Sequence, residues 1–114
     1  MLPRSVVLLW DAARALDKVA RFVAGRTLDD YLEDEAIQSA VERQLEITGE
    51  ALSVLRRTDP EGAAVVPNLH RAVGFRNILA HDYSSVDQDI IWIVATYYGP
   101  ELRLAIGAIL AEID

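Results

Sequence analysis

The chain has 114 residues, of which 52% are hydrophobic, and its formal net charge is −7. These values predict one globular domain spanning residues 1–114 and argue against a broad basic face for nucleic acids. Cysteine is absent, which excludes disulfides and cysteine nucleophiles. No apolar run approaches the roughly 18 residues that a membrane span needs, and no signal-peptide cleavage pattern is present. We therefore expect a cytoplasmic protein with no membrane partner.

Apolar residues recur at helical spacing along nearly the whole chain, and no stretch alternates as a strand would. A first helix is predicted from Pro3 to about Gly25, since proline is favoured at the first helical position. Thr27 followed by Asp30 resembles a capping box and predicts a short helix. A second long helix is predicted from about Glu35 to Arg57.

Residues 58–62 break this helix and open a loop that extends to about Pro67. A third helix is predicted to end around His81, and a capping-box pattern of Ser85 with Gln88 predicts the start of a fourth. Gly99-Pro100 must kink that last helix, because proline removes a backbone donor and clashes with the preceding turn. The sequence thus predicts an all-α, up-down bundle of four main helices. Within it, four aromatic residues are expected in the core or at a dimer contact: Trp10, Trp92, Tyr97 and Tyr98.

The most informative stretch runs from Gly74 to Tyr83. Four polar side chains fall within eight residues of a segment that should pack a core: Arg76, Asn77, His81 and Tyr83. Burying such groups costs free energy unless they are paired, so their presence needs a reason. Residues 62–81 also contain no acidic residue, whereas residues 29–50 are strongly acidic. The segment is therefore a candidate functional site.

Arginine and histidine together can cleave RNA through attack by its own 2′-hydroxyl. His81 can transfer the proton, and Arg76 can hold phosphate oxygens as a bidentate donor. Asn77 could bind phosphate or fix the tautomer of His81. No residues with metal-ligand spacing are present, so we expect neither a metal nor another cofactor. One histidine cannot easily act on both sides of a phosphate, which favours a symmetric dimer that shares one cleft.

A plainer interpretation is that Arg76 and His81 cap the last turn of a helix. Five residues correspond to about 140° of rotation, so these side chains converge only if the helix ends early or Arg76 reaches across. His70 and Arg71 are possible RNA contacts or solvated surface residues. Two acidic residues of the second helix, Glu46 and Glu50, could orient Arg43 or Arg76 through salt bridges.

The pattern Arg76-x-x-x-x-His81-x-Tyr83 resembles the R-x4-H-x-Y signature of HepT-like toxins in the HEPN superfamily. Residues 41–51 are similar to the second-helix segment of that family. Residues 74–81, together with Val86-Asp87 and Ile91-Trp92, are similar to its later segments. The resemblance covers roughly residues 5–112.

The resemblance implies a HEPN-like helical bundle that dimerises with its motifs facing each other. It also implies a metal-independent endoribonuclease with Arg76 and His81 as catalytic residues. It further implies pairing with a minimal nucleotidyltransferase (MNT) antitoxin that attaches AMP to the motif tyrosine, here Tyr83. We therefore expect the toxin component of a toxin–antitoxin system. The alternative is a catalytically weak subunit that serves as partner or AMPylation substrate of a nucleotidyltransferase, which the net charge of −7 favours. A purely structural bundle is the third interpretation.

Overall fold

The computed structural model of the chain describes residues 1–81 and 86–113. Its helices are α1 (Pro3–Val23), α2 (Leu28–Leu32), α3 (Glu35–Thr58), α4 (Pro60–Ala64), α5 (Leu69–His81), α6 (Gln88–Ile93) and α7 (Gly99–Ala111), with a π-helical segment (Val94–Tyr98) between the last two. Every regular element in these ranges is helical, which confirms the predicted all-α class. Helices α1, α3, α5 and the composite α6–α7 are the four main helical spans.

Helix α3 lies at the centre of the fold, where it packs against both α1 and α5, and α7 packs on α1. Its inner face contributes the buried residues Val41, Leu45, Leu52 and Leu55 to the core. Leu52 and Leu55 are fully buried, so truncating either to alanine would cost about 2–5 kcal/mol. The core therefore fixes α3 firmly, and this helix serves as the platform on which α5 is placed.

The predicted start of the short second element is confirmed in detail. The Thr27 side chain accepts a hydrogen bond from the backbone N–H of Asp30, and the Asp30 carboxylate accepts one from Thr27 N–H. The predicted loop between α3 and Pro67, however, contains the short helix α4. Asp59 and Pro60 explain it, because the Asp59 carboxylate caps Gly62 N–H and proline suits the first helical turn.

The irregularity predicted at Gly99-Pro100 is confirmed, and it is a π-helical turn rather than a simple kink. The Gly99 N–H donates to the carbonyl of Val94, five residues earlier, as in a π-helix. A Cβ atom at residue 99 would lie 2.9 Å from that carbonyl oxygen, so the wide turn requires glycine there. The π-helical turn thus accommodates the missing backbone N–H of Pro100, and α7 follows it directly without an intervening loop.

The expected cap of the fourth main helix is wrong, and the expectation for the aromatic residues is wrong where it placed three of them in the core. Asp87, whose carboxylate accepts from Asp89 N–H, caps α6 in place of Ser85, which lies outside the described residues. Trp10, Tyr97 and Tyr98 are about half exposed, so they do not belong to the core, and their expected role at a dimer contact stays a prediction. Only Trp92 is partly buried, with its ring centroid 5.2 Å from that of Tyr31.

No helix in the described part of the chain is both long enough and apolar enough to span a bilayer.

A buried acidic residue ties α1 to the α3–α4 junction. Ser5 is almost fully buried, and its hydroxyl donates to the Asp59 carboxylate at 2.7 Å. This hydrogen bond and, to a smaller extent, the one from Gly62 N–H hold the pKa of Asp59 below its usual value. The ionised form of Asp59 is therefore the form that stabilises the fold.

This arrangement predicts a specific loss of stability in acid. Unfolded Asp59 takes up a proton near pH 3.9, before the folded form does, so the free energy of unfolding should fall as the pH drops below about 3.9 and through the lowered pKa. Asp59→Asn should be less stable than wild type at neutral pH, and the gap should narrow in acid. Urea unfolding over this pH range measures it, with exposed Glu33→Gln as the control. A gap that stays constant with pH would contradict the prediction.

Candidate functional site

The outer face of α5 presents the polar residues of the predicted site. His70, Asn77 and His81 are exposed, and their spacing of seven and then four residues places them on one side of the helix. Leu69, Val73 and Leu79 are the buried residues of this helix. The expectation that this polar cluster packs into the core is therefore wrong for Asn77 and His81, because both side chains are exposed to solvent.

Arg76 lies on a different side of α5, toward α3. Its Nη2 atom is 2.7 Å from Oε2 of Glu50, and 28% of its side chain is exposed. One turn earlier on α3, Arg43 and Glu46 form a second ion pair at 3.6 Å. The prediction that these two glutamates orient Arg43 and Arg76 is thus confirmed. Glu50 fixes the direction of the Arg76 guanidinium.

Gly49 explains how Arg76 comes so close to α3. This glycine is buried in the middle of α3, and a Cβ atom added to it would overlap the Cβ atom of Arg76 and lie 2.9 Å from the backbone oxygen of Ala72. The two helices therefore touch backbone to side chain at this point. Glycine is otherwise unfavourable inside a helix by about 0.5–1 kcal/mol, so the close contact is its structural justification.

Asn77 connects the Arg76 guanidinium with the face that carries His81. Arg76 Nη1 donates to Asn77 Oδ1 at 3.1 Å. Asn77 and His81 are four residues apart on a continuous helix and are therefore neighbours on its surface. Since α5 runs through His81, Arg76 and His81 leave the helix at about 140° to each other. The helix therefore does not end before His81, and the contact that Arg76 makes toward this face is the one with Asn77.

This arrangement can bind a phosphodiester and can supply one of the two proton-transfer groups that its cleavage needs. A guanidinium has five N–H donors, more than the contacts with Glu50 and Asn77 use, so others can reach phosphate oxygens. The exposed imidazole of His81 can exchange a proton with an incoming group. A single chain brings one imidazole to this place, which leaves either the proton acceptor or the proton donor to be supplied from elsewhere.

The other predicted site residues lie farther away. His70 shares the exposed face but is 11 residues from His81, which corresponds to about 16 Å along the helix. Arg71 lines a mostly apolar cleft of about 700 Å³ that α5 forms with the π-helical segment and α7. Arg76 lines a different groove, between α1 and α3. Tyr83 lies outside the described residues.

The sequence did not reveal the anchor that fixes the chain after the motif. Tyr31, fully buried on α2, donates from its hydroxyl to Gln88 Oε1 at 2.7 Å. The Gln88 amide in turn donates to Glu42 at 3.4 Å. Burial, with a smaller contribution from Glu42, raises the pKa of the Tyr31 phenol, and burial also raises that of Glu42. These contacts tie the start of α6 to α2 and α3. They therefore fix the position of Gln88, which is seven residues after His81 in the sequence.

No group of three histidine, aspartate or glutamate side chains in residues 1–81 and 86–113 is arranged to hold a metal ion.

Comparison with known proteins identifies the family. The sequence model described as "Ribonuclease HepT-like" matches residues 12–109, and the chain therefore belongs to the HepT-like ribonuclease family. This confirms both the predicted family and the predicted ribonuclease class.

Relatives of the chain include "Putative RNase MJ1216" of Methanocaldococcus jannaschii, which is 28% identical over 106 residues, covering 93% of this chain and 87% of that protein. Another is "Putative RNase TTE0752" of Caldanaerobacter subterraneus subsp. tengcongensis, 34% identical over 90 residues, covering 79% of this chain and 80% of that protein. No solved structure gives a significant match.

The contact at Gly49 predicts opposite effects for two glycine substitutions. Gly49→Ala should destabilise the fold by about 1–3 kcal/mol, because the added methyl group overlaps Arg76 and pushes α5 away from α3. Gly74→Ala is the matched control on α5, where no atom lies within 4 Å of the added Cβ atom. It should raise stability by about 0.4–1 kcal/mol. Thermal and urea unfolding measure both changes, and equal effects would contradict the proposed close contact.

Proposed function

We propose that this HepT-like chain is the toxin component of a type II toxin–antitoxin system and a metal-independent endoribonuclease that works as a homodimer. The observation that carries the proposal is the position of the Arg76 guanidinium. It is held at 2.7 Å by Glu50 and at 3.1 Å by Asn77, and Asn77 is one helical turn from the exposed His81. The family match to ribonucleases supports the same chemistry.

In the proposed reaction, the 2′-hydroxyl of RNA attacks the adjacent phosphorus atom. His81 of one protomer accepts the 2′-hydroxyl proton as the new oxygen–phosphorus bond forms. The bond from phosphorus to the 5′-oxygen breaks, and that oxygen takes a proton from His81 of the partner subunit. Arg76 stabilises the negative charge that builds up on the phosphorane-like transition state. The products are a 2′,3′-cyclic phosphate and a free 5′-hydroxyl group.

A homodimer supplies the second imidazole that this reaction needs. If α5 meets the same helix of a second copy across a two-fold axis, each shared groove receives both sets of motif residues. Ile78 is a candidate for this contact, because it is 47% exposed and lies three residues before His81 on the helix surface. Its exposed side chain is therefore available for a contact with the second copy.

The proposed partner is an MNT-type nucleotidyltransferase antitoxin, with Tyr83 as the residue that it modifies with AMP. This part of the proposal rests on the resemblance of the Arg76–Tyr83 motif to that of HepT-like toxins. Tyr83 is two residues beyond His81 in the sequence. An AMP group there would bring a bulky anion beside the cleft and compete with the RNA phosphate for Arg76.

A second candidate function is that of a weakly catalytic subunit whose main role is to bind the nucleotidyltransferase. The net charge of −7 and the neutralisation of Arg76 by Glu50 favour it, because both oppose the approach of RNA. Expression of the chain alone and with its genomic neighbour separates the two functions. Growth arrest by the chain alone supports the toxin, whereas copurification without arrest supports the binding subunit. The mass of peptides that contain Tyr83 reports the modification.

Substitution of the two central residues tests the nuclease mechanism. His81→Ala should lower the cleavage rate by about 10²–10⁴-fold through loss of proton transfer. Arg76→Ala should lower it by about 10²–10³-fold through loss of charge stabilisation. Arg57→Ala, an exposed cation at the end of α3, is the control. Gel analysis of labelled RNA in the presence of EDTA measures the rates. Cleavage that survives both substitutions, or that requires added Mg²⁺, would refute the mechanism.

The dimer makes a separate prediction about Ile78. Light scattering should give a mass twice the 12.6 kDa of one chain. Ile78→Glu should yield a folded monomer without cleavage activity, since it places like charges against each other across the two-fold axis. Val65→Glu, at a residue that is 56% exposed beside α4, is the matched control and should stay dimeric and active. A dimeric, active Ile78→Glu variant would disprove this interface.

A further inference from the structure

A surface groove between α1 and α3 leads to Arg76, and we call it the α1–α3 groove. Its volume is about 380 Å³. Along α1 it runs past Asp11, Arg14 and Lys18, and its α3 wall includes Arg43. Residues 11–18 alone span about 10 Å of helix, so the groove offers room for more than one phosphate along α1.

The charge of this groove differs from that of the rest of the molecule. It is lined by four cations, Arg14, Lys18, Arg43 and Arg76, against three carboxylates, Asp11, Glu46 and Glu50. The whole chain, in contrast, has 18 acidic residues against 11 basic ones. A polyanion that approaches this acidic protein therefore meets a locally positive path that ends at the arginine of the proposed site.

Ion pairs hold three of these cations in place without hiding them. Arg14 pairs with Asp11, Arg43 with Glu46, and Arg76 with Glu50. The Arg14 and Arg43 side chains are nevertheless 62% and 67% exposed, so most of their N–H donors face solvent. Lys18, the only lysine of the chain, is exposed and forms no ion pair with the described residues.

The floor of the groove is apolar and contains no aromatic ring. Ala15 of α1 and Ile47, Ala51 and Val54 of α3 form much of it. Phosphates could contact the cations at the rim while unpaired bases or riboses rest on this floor. Duplex RNA offers its phosphates but keeps its bases stacked inside, and this favours a single strand. Without aromatic stacking or a set of base-reading groups, the groove would accept many sequences.

We propose that the α1–α3 groove binds the backbone of single-stranded RNA next to the scissile phosphate and guides that strand to Arg76. The inference rests on the proposed nuclease function and extends it by naming Lys18, Arg43 and Arg14 as substrate-binding residues. These residues come from α1 and α3, outside the motif segment. They are also separate from the surface that carries Arg71.

The test is a binding measurement that does not depend on cleavage. The probe is a fluorescein-labelled, 2′-O-methylated single-stranded oligonucleotide of mixed sequence, which lacks the attacking hydroxyl. Lys18→Ala and Arg43→Ala should each weaken its binding roughly threefold and lower the slope of log K against log salt by about 0.7, as expected for one lost phosphate contact on a single strand. Arg57→Ala is the control, because it changes the net charge equally outside the groove.

A substitution of opposite sign strengthens the test. Glu46→Gln removes a carboxylate from the groove and should tighten binding of the same probe. Fluorescence anisotropy over a range of NaCl concentrations measures all four variants, and thermal unfolding checks that each is folded. Unchanged affinity in the Lys18→Ala and Arg43→Ala variants, or an equal loss in Arg57→Ala, would overturn the proposal. The proposal would also be overturned if the groove variants lost the binding of an acidic protein partner while they kept the oligonucleotide affinity of the wild type.

Failure of this proposal can be told apart from failure of the nuclease mechanism. If the wild-type chain cleaves RNA but the groove variants bind the probe normally, the groove is wrong and the nuclease stands. If the groove variants lose affinity but no RNA is cleaved, the groove stands and the mechanism is wrong.

Discussion

The contact between α3 and α5 at Gly49 is the constraint on which the candidate site depends. Because residue 49 has no side chain, α5 approaches until the Cβ atom of Arg76 occupies the space that a side chain would fill. At this separation the arginine can reach Glu50 on the next residue of α3. A helix pair held apart by an ordinary side chain would leave the guanidinium without this partner and free to sample many rotamers. The close packing of α3 and α5 thus determines the orientation of the Arg76 guanidinium.

The electrostatics of the molecule follow from how its few cations are distributed. An acidic protein repels RNA from most of its surface, which makes a local concentration of positive charge more important than the total. In this chain the arginines near the site are paired with carboxylates, which lowers their net charge but also orders them. Ordered donors lose less conformational entropy when a phosphate binds than mobile ones would. The pairing is therefore compatible with binding, provided that the phosphate can share or displace the carboxylate.

Helical periodicity was enough to predict the four main helices, because apolar residues recur at helical spacing along each of them. Local capping chemistry was enough to predict the capping box that Thr27 and Asp30 form at the start of α2. The burial of the motif could not be predicted as well, since α5 has a narrow buried side and its apolar residues, such as the half-exposed Ile78, do not all face inward. Contacts between residues that are far apart in the sequence could not be predicted either. The chain of hydrogen bonds from Tyr31 through Gln88 to Glu42 joins three elements and has no local signature. Gly49 inside a long helix is a signal of close approach that the sequence offered and that our predictions did not use.

The cations of the α1–α3 groove lie on the outer sides of helices whose inner sides form the core. Exposed ion pairs of this kind contribute little to folding, typically about 0–1 kcal/mol each. Residues such as Lys18 and Arg43 can therefore be exchanged during evolution at almost no thermodynamic risk, while Gly49, Leu52 and Leu55 cannot. The outer surface of this bundle is therefore open to sequence change that leaves its architecture intact.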